Sequence, residues 1–141
     1  MTLRIALKDG EKVVINGAIL RSVGRTELRV QSAAAILRGR EIMTPEEAIT
    51  PARQLYFHTM MAYIDPERSP HHQTAIIEAL ARVTALLPSD EANVVAMAYA
   101  RNAAGMHYYR ALAECRSLIA LECVALADVA DPATEAAAAA A

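Results

Sequence analysis

Apolar and polar residues alternate one by one along the first part of the chain and then change to a three- and four-residue beat. Leu3, Ile5 and Leu7 alternate with Arg4, Ala6 and Lys8, a period of two that predicts a strand with one buried face. Asp9-Gly10 follows as a hairpin-type turn. The β-branched run Lys12-Val13-Val14-Ile15 predicts a second strand, and Asn16-Gly17 a second tight turn. Ala18 to Val23 is a third candidate, ended by Gly24; Glu27-Leu28-Arg29-Val30-Gln31 alternates again, and Ala34 to Arg38 is a fifth. Strands this short make a very small sheet, which needs the rest of the chain or a second copy to cover it.

From Met43 the pattern is helical. Thr44-Pro45-Glu46-Glu47 is a capping sequence, with Pro at the first position and a glutamate three after the threonine. Thr50-Pro51 restarts the signal, so the first piece is a single turn. A helix is predicted from Pro51 to Ile64, with Leu55, Phe57, Met60, Met61 and Ile64 on its apolar stripe and Asp65-Pro66 as its stop. Ser69-Pro70 opens a second helix to about Leu87, and Pro88-Ser89-Asp90-Glu91 opens a third to about Ala103. Beyond Gly105 a fourth spans Met106 to Ala127, with Tyr109, Leu112, Ile119 and Cys123 as its expected stripe. The fold class is therefore α+β: an antiparallel β module over residues 1–43 and a helical bundle over 44–130. The segment 131–141 ends in six alanines and has nothing to bury, so disorder or a frayed helix is expected there.

Composition adds a core and a location. Hydrophobic residues make up 55% of the 141, mostly Ala, Leu, Ile and Val, with no Trp and one Phe. No apolar run reaches the ~18 residues that cross a bilayer. Charged residues from Arg4 to Glu11 are unlike a signal peptide. A cytoplasmic protein without membrane partners is expected. Cys115 and Cys123 lie two helical turns apart, about 12 Å, too far to bridge, and read as reduced thiols.

Charge divides the chain. Residues 1–42 carry eight basic and four acidic side chains, a balance of +4; the remainder carries six against twelve, or −6, which together give the overall −2. A basic module joined to an acidic one points to a polyanion partner for the first.

Candidate chemistry is sparse. His58, His71, His72 and His107 show no zinc-ligand spacing, and His71-His72 read as exposed surface residues. No serine sits in a nucleophile motif, and the glycines form no phosphate loop. Glu46-Glu47 suits the positive end of a helix without any catalytic role. An enzyme has no residues to stand on, and no metal or cofactor is implied. The site candidates are Arg4 and Lys8 on the polar face of the first strand, and Arg38 and Arg40 flanking Gly39 after the last. Their guanidinium and ammonium groups suit phosphates and base edges of single-stranded RNA, or make a solvated strand face. Tyr56 and Phe57 diverge by about 100° on one helix, which marks them as candidates for a surface shared with a protein partner.

Leu7-Lys8-Asp9-Gly10-Glu11-Lys12-Val13-Val14-Ile15-Asn16-Gly17-Ala18, Ala35-Ile36-Leu37-Arg38, Glu41-Ile42-Met43-Thr44-Pro45-Glu46-Glu47-Ala48, Thr50-Pro51-Ala52-Arg53-Gln54-Leu55-Tyr56-Phe57 and Met61-Ala62-Tyr63-Ile64-Asp65 resemble, in order and spacing, the blocks of the FlbT family. Tyr108-Tyr109-Arg110-Ala111-Leu112 and Cys115-Arg116 extend the likeness into the second half. The resemblance implies a bacterial post-transcriptional regulator, a repressor of flagellin synthesis acting on the 5′ untranslated region of flagellin messenger RNA, alongside the regulator FlaF. Positive control also occurs among relatives. The strand order of residues 3–42 is similar to that of the CsrA family, RNA-binding regulators built as intertwined dimers, whose first and last strands carry the basic RNA contacts. Lys8 and Gly39 stand at matching positions; Leu7 and Gly39 replace basic residues, with Arg38 and Arg40 on either side. Two readings follow: a homodimeric regulator that binds the flagellin messenger leader through Arg4, Lys8, Arg38 and Arg40, or an adaptor whose helices bind FlaF or flagellin without touching RNA.

Overall fold

The computed structural model describes residues 3–130, so the expectation for segment 131–141 lies outside the described residues. Strands β1 (Leu3–Leu7), β2 (Lys12–Ile15), β3 (Ala18–Arg21), β4 (Thr26–Val30) and β5 (Ile36–Arg38) precede helices α1 (Pro51–Ile64), α2 (Ser69–Leu86), α3 (Asp90–Ala104) and α4 (Tyr108–Ala130). Single 3-10 turns occupy Gly39–Glu41, Pro45–Glu47 and Pro66–Arg68. The α+β order read from the change of period is the one observed. Thr44 and Glu47 form the capping box of their one-turn segment.

The strands form two small antiparallel sheets, where a single small sheet is the simplest expectation. β1 pairs with β4, and β2 lies between β3 and β5. Asn16 and Gly17 both take left-handed φ, 51° and 86°, as a two-residue hairpin turn requires. Gly17 also backs onto α1, where a Cβ would lie 3.2 Å from the Ile64 carbonyl. The bend after β3 carries the chain from one sheet to the other. Ser22 Oγ donates to the Gly24 carbonyl, and the Gly24 N–H donates to Asp9 Oδ1 at 2.8 Å.

Strands β2 and β5 pack on both faces. Val13, Ile15 and Ile36 pack toward Ile5, Leu7, Leu28 and Val30 of the β1–β4 sheet. Val14 and Leu37, on the alternate positions, join the helical core instead. The period of two thus serves two different cores from one pair of strands.

Helix α1 is the centre of the helical part. None of its residues from Pro51 to Ile64 is exposed, because α2 and α4 pack against it, and α3 packs on α4. A helix packed on several sides has no single apolar stripe, and of the five residues expected on it Leu55 and Met60 are buried while Phe57, Met61 and Ile64 are partly so. Its polar needs are met inside the fold. Thr59 Oγ1 donates to the Leu55 carbonyl at 2.6 Å, which leaves the Tyr99 hydroxyl to donate to Thr59, also at 2.6 Å. Burial holds the Tyr99 phenol above its ordinary range and pushes the adjacent Cys115 thiol up to about 12. At the start of α1, Glu122 reaches in from α4. One carboxylate oxygen accepts from the Thr50 hydroxyl and the other from the Ala52 N–H at 2.8 Å. Glu122 is only 2% exposed, at the end of the helix where the dipole favours negative charge.

Two expected faces are corrected. On α4 the buried side is Tyr108, Ala111, Leu112, Cys115, Leu118 and Glu122, whereas Tyr109 and Cys123 are exposed. On α2, His72, expected at the surface, is 6% exposed and bonds Asp65 Oδ2 at 3.0 Å. On α4 the reason is the small residues that make the contacts. Alanines fill the contact faces (Ala52, Ala62, Ala79, Ala92, Ala111), so a stripe drawn through the large apolar residues is rotated from the true one.

Replacing Glu122 by Ala strands the Thr50 hydroxyl and the Ala52 N–H in the interior. Urea unfolding should show a loss of about 2–3 kcal/mol, and Glu122→Gln, which retains one acceptor oxygen, a smaller loss. An unchanged midpoint in both variants would mean that the carboxylate does not hold the helix start.

Candidate functional site

The outer surface of the β module carries the basic side chains. Arg4 projects from the β1–β4 sheet directly opposite Arg29, with Ala6 opposite Glu27. Arg4 Nε lies 2.6 Å from Glu27 Oε1, and both side chains are well exposed, so the pair contributes little to stability. Lys8 lies just past the end of β1, at the turn that Glu11 closes onto the Lys8 N–H at 3.3 Å. Arg38, on β5, sends Nη2 to the Ala6 carbonyl at 2.6 Å. This places its guanidinium on the edge of β1 between Arg4 and Lys8, and links the two sheets. Arg40 is exposed in the turn Gly39–Glu41. Three of the four predicted residues are therefore gathered along β1, although Arg4 and Arg38 are already engaged with protein groups.

Sequence reasoning missed a second basic pair. Lys12 stands directly opposite Arg21 on the β2–β3 hairpin, and both are exposed. The signal was available: a two-residue Asn16-Gly17 turn fixes Ile15 opposite Ala18, and counting back from it sets Lys12 against Arg21. Arg29 could not be found this way, because β1 and β4 meet across the whole intervening hairpin.

The aromatic residues dock the β module on the helices. Glu41 is the hub. Its Oε1 accepts the Arg38 N–H at 3.0 Å, its Oε2 the Tyr109 hydroxyl at 2.6 Å, and its backbone carbonyl the Tyr56 hydroxyl at 2.6 Å. The Ile36 N–H donates to the Tyr63 hydroxyl at 3.0 Å, and the Tyr63 and Tyr109 rings sit 5.4 Å apart. Tyr56, expected to share a surface with a partner, is buried and committed to Glu41. Phe57 is half-buried against the core, edge-on to His58. The reason is the position of α1 at the centre: both divergent rings find cover in the same chain. His58 is held below its ordinary pKa by burial and then by the charges of His72, Arg82 and His71. Among the described residues no group of three His, Cys, Asp or Glu side chains could hold a metal ion, and no helix is long and apolar enough to cross a membrane.

The arrangement defines an α+β protein in which a small basic sheet surface is fixed by tyrosines to an alanine-rich helical body. The chain belongs to the FlbT family: the family described as flagellar protein FlbT matches residues 3–126. It is similar, at 32% identity over 86% of its length and 94% of the relative's, to a "Probable flagellum biosynthesis repressor protein FlbT" of Caulobacter sp. (strain K31). The "Flagellum biosynthesis repressor protein FlbT" of Caulobacter vibrioides (strain ATCC 19089 / CIP 103742 / CB 15) is 32% identical over 86% of the chain and 87% of the relative. A probable repressor of the same name from Allorhizobium ampelinum is 37% identical over 64% of the chain and 60% of the relative. No solved structure matches.

The Tyr109 phenol is pushed up to about 12, first by its hydrogen bond to Glu41 and then by burial. Its folded pKa lies above the unfolded value, so the bond stabilises fully below about pH 10. That contribution is lost as pH rises through about 12. In an ultraviolet titration, Tyr109→Phe should remove one phenol from the step near 12, and Glu41→Gln should shift that phenol back toward about 10. Superimposable titrations of wild type and both variants would rule the contact out.

Proposed function

We propose that this chain is a post-transcriptional repressor of flagellum biosynthesis, acting on the 5′ untranslated region of flagellin messenger RNA through its β module. The observation that carries the reading is the like-charged cross-strand position of Lys12 opposite Arg21, together with Arg4 and Arg29, which face each other with one carboxylate, Glu27, paired to Arg4. Like charges placed face to face in a sheet are unfavourable by themselves, and a polyanion relieves them. Arginine forks suit phosphate and unstacked bases. The names of the relatives supply the flagellar context. The competing adaptor reading, in which helices bind FlaF or flagellin without RNA, loses the Tyr56 ring as a contact surface.

The functional unit in this reading is a homodimer. β3 is an open sheet edge, every residue of which is exposed, with Ile19 at 69%; such edges pair readily with another copy. Light scattering at tens of micromolar should give twice the chain mass, and a monomer there counts against the pairing.

Binding to flagellin leader RNA across a salt series tests the function. Arg38→Ala with Arg40→Ala, and separately Lys12→Ala with Arg21→Ala, should weaken binding while the protein stays folded. Each lost phosphate contact should lower the salt slope by about 0.7. Affinity and slope unchanged in both double variants would remove the β module as the RNA surface.

A further inference from the structure

At the far end of the helical part, the α2–α3 turn and the last turns of α4 enclose an open groove of 520 Å³. Leu86, Leu121, Val124 and Ala125 line it, and Glu91 and Asp128 stand at its sides. Leu121, Val124, Ala125 and Asp128 follow steps of three, one and three, so they form one continuous stripe of α4. Val124 is 62% exposed, a large apolar side chain left open beside others.

We propose that this groove docks an amphipathic helix of a partner protein, one that presents apolar side chains along one face and Lys or Arg on its flanks. The stripe from Leu121 to Asp128 spans about 10 Å, or two turns, which matches anchors at i, i+3 or i+4, and i+7 of an incoming helix. Charge selects the occupant. No basic residue is among the residues that line the groove, and the chain beyond residue 42 carries twelve acidic against six basic side chains. A cationic flank complements that rim and is steered toward it. A second copy of this chain is a poor occupant, because a two-fold contact sets Glu91 and Asp128 against themselves. The chain's own segment 131–141 holds Asp131 and Glu135 and no Lys or Arg, so it carries the wrong charge. RNA is repelled by the same carboxylates, and the proposal does not rest on the RNA reading.

The test uses the full chain and a fluorescein-labelled helical peptide with leucines at i, i+3 and i+7 and lysine or arginine elsewhere. A control peptide keeps the leucines and replaces every basic residue with glutamate. Fluorescence anisotropy should show the basic peptide binding at least about tenfold more tightly than the control, 1.4 kcal/mol. Glu91→Lys with Asp128→Lys should invert that preference. Val124→Asn, neutral and at an exposed site, tests the apolar floor apart from the rim. It should cost about tenfold in affinity with an unchanged thermal melt. The methyl signals of Leu86, Leu121 and Val124 should move on titration with the basic peptide. Equal binding of both peptides, binding of neither, or full affinity in Val124→Asn overturns the proposal. So does a drop in mass by light scattering in Val124→Asn, which would give the groove to a second copy.

Discussion

The burial of α1 on every side is the constraint from which the rest of the structure follows. A helix with no fully exposed residue has its start, its interior hydroxyls and its aromatic rings satisfied by other elements. Glu122 of α4 supplies the start, Tyr99 of α3 closes on Thr59, and Glu41 of the β module takes the Tyr56 hydroxyl. Three parts of the chain are thereby fixed by one helix. The two-faced sheet of β2 and β5 completes the enclosure through Val14 and Leu37.

Much of this was legible in the residues. The change from a period of two to a helical period gave the order of strands followed by helices. Asn16-Gly17 gave a turn with both residues at positive φ, and Thr50-Pro51 and Asp65-Pro66 marked α1 to the residue. What stayed hidden has a common physical origin. Where alanines make the contacts, large apolar residues no longer report the buried face, so α4 was read rotated and Tyr109 placed inside. Glu122 and His72 were unreadable for another reason. Each is polar, and each is buried because of a partner distant in sequence or around a helix corner. Of the basic candidates, Arg38 reaches the Ala6 carbonyl, which lies between Arg4 and Lys8 in the chain, through a guanidinium-to-carbonyl bond that no local pattern announces.

The charge division acquires a structural meaning. Exposed basic side chains lie on strands of both sheets, Arg4 and Arg29 on one and Lys12, Arg21 and Arg38 on the other, while Glu91 and Asp128 line the groove beside α4. Opposite potentials on one small body favour partners of opposite kinds, a polyanion at one and a cationic helix at the other. The tyrosines and Glu41 keep the two surfaces in fixed relation, since three hydroxyls tie the strands to α1 and α4.

The reach of Glu122 to Thr50 and Ala52, 72 and 70 positions away in the chain, also sets the order in which the protein can mature. During synthesis the β2–β3 hairpin and the helices can each form from neighbouring residues. The central helix cannot gain its carboxylate, or its α4 wall, until nearly the last described residues have been made. Contacts of such long separation close late and slowly. Stable folding is thus a property of the finished chain, and a nascent or shortened copy that stops before α4 presents its middle helix uncovered to the cell's proteases and chaperones.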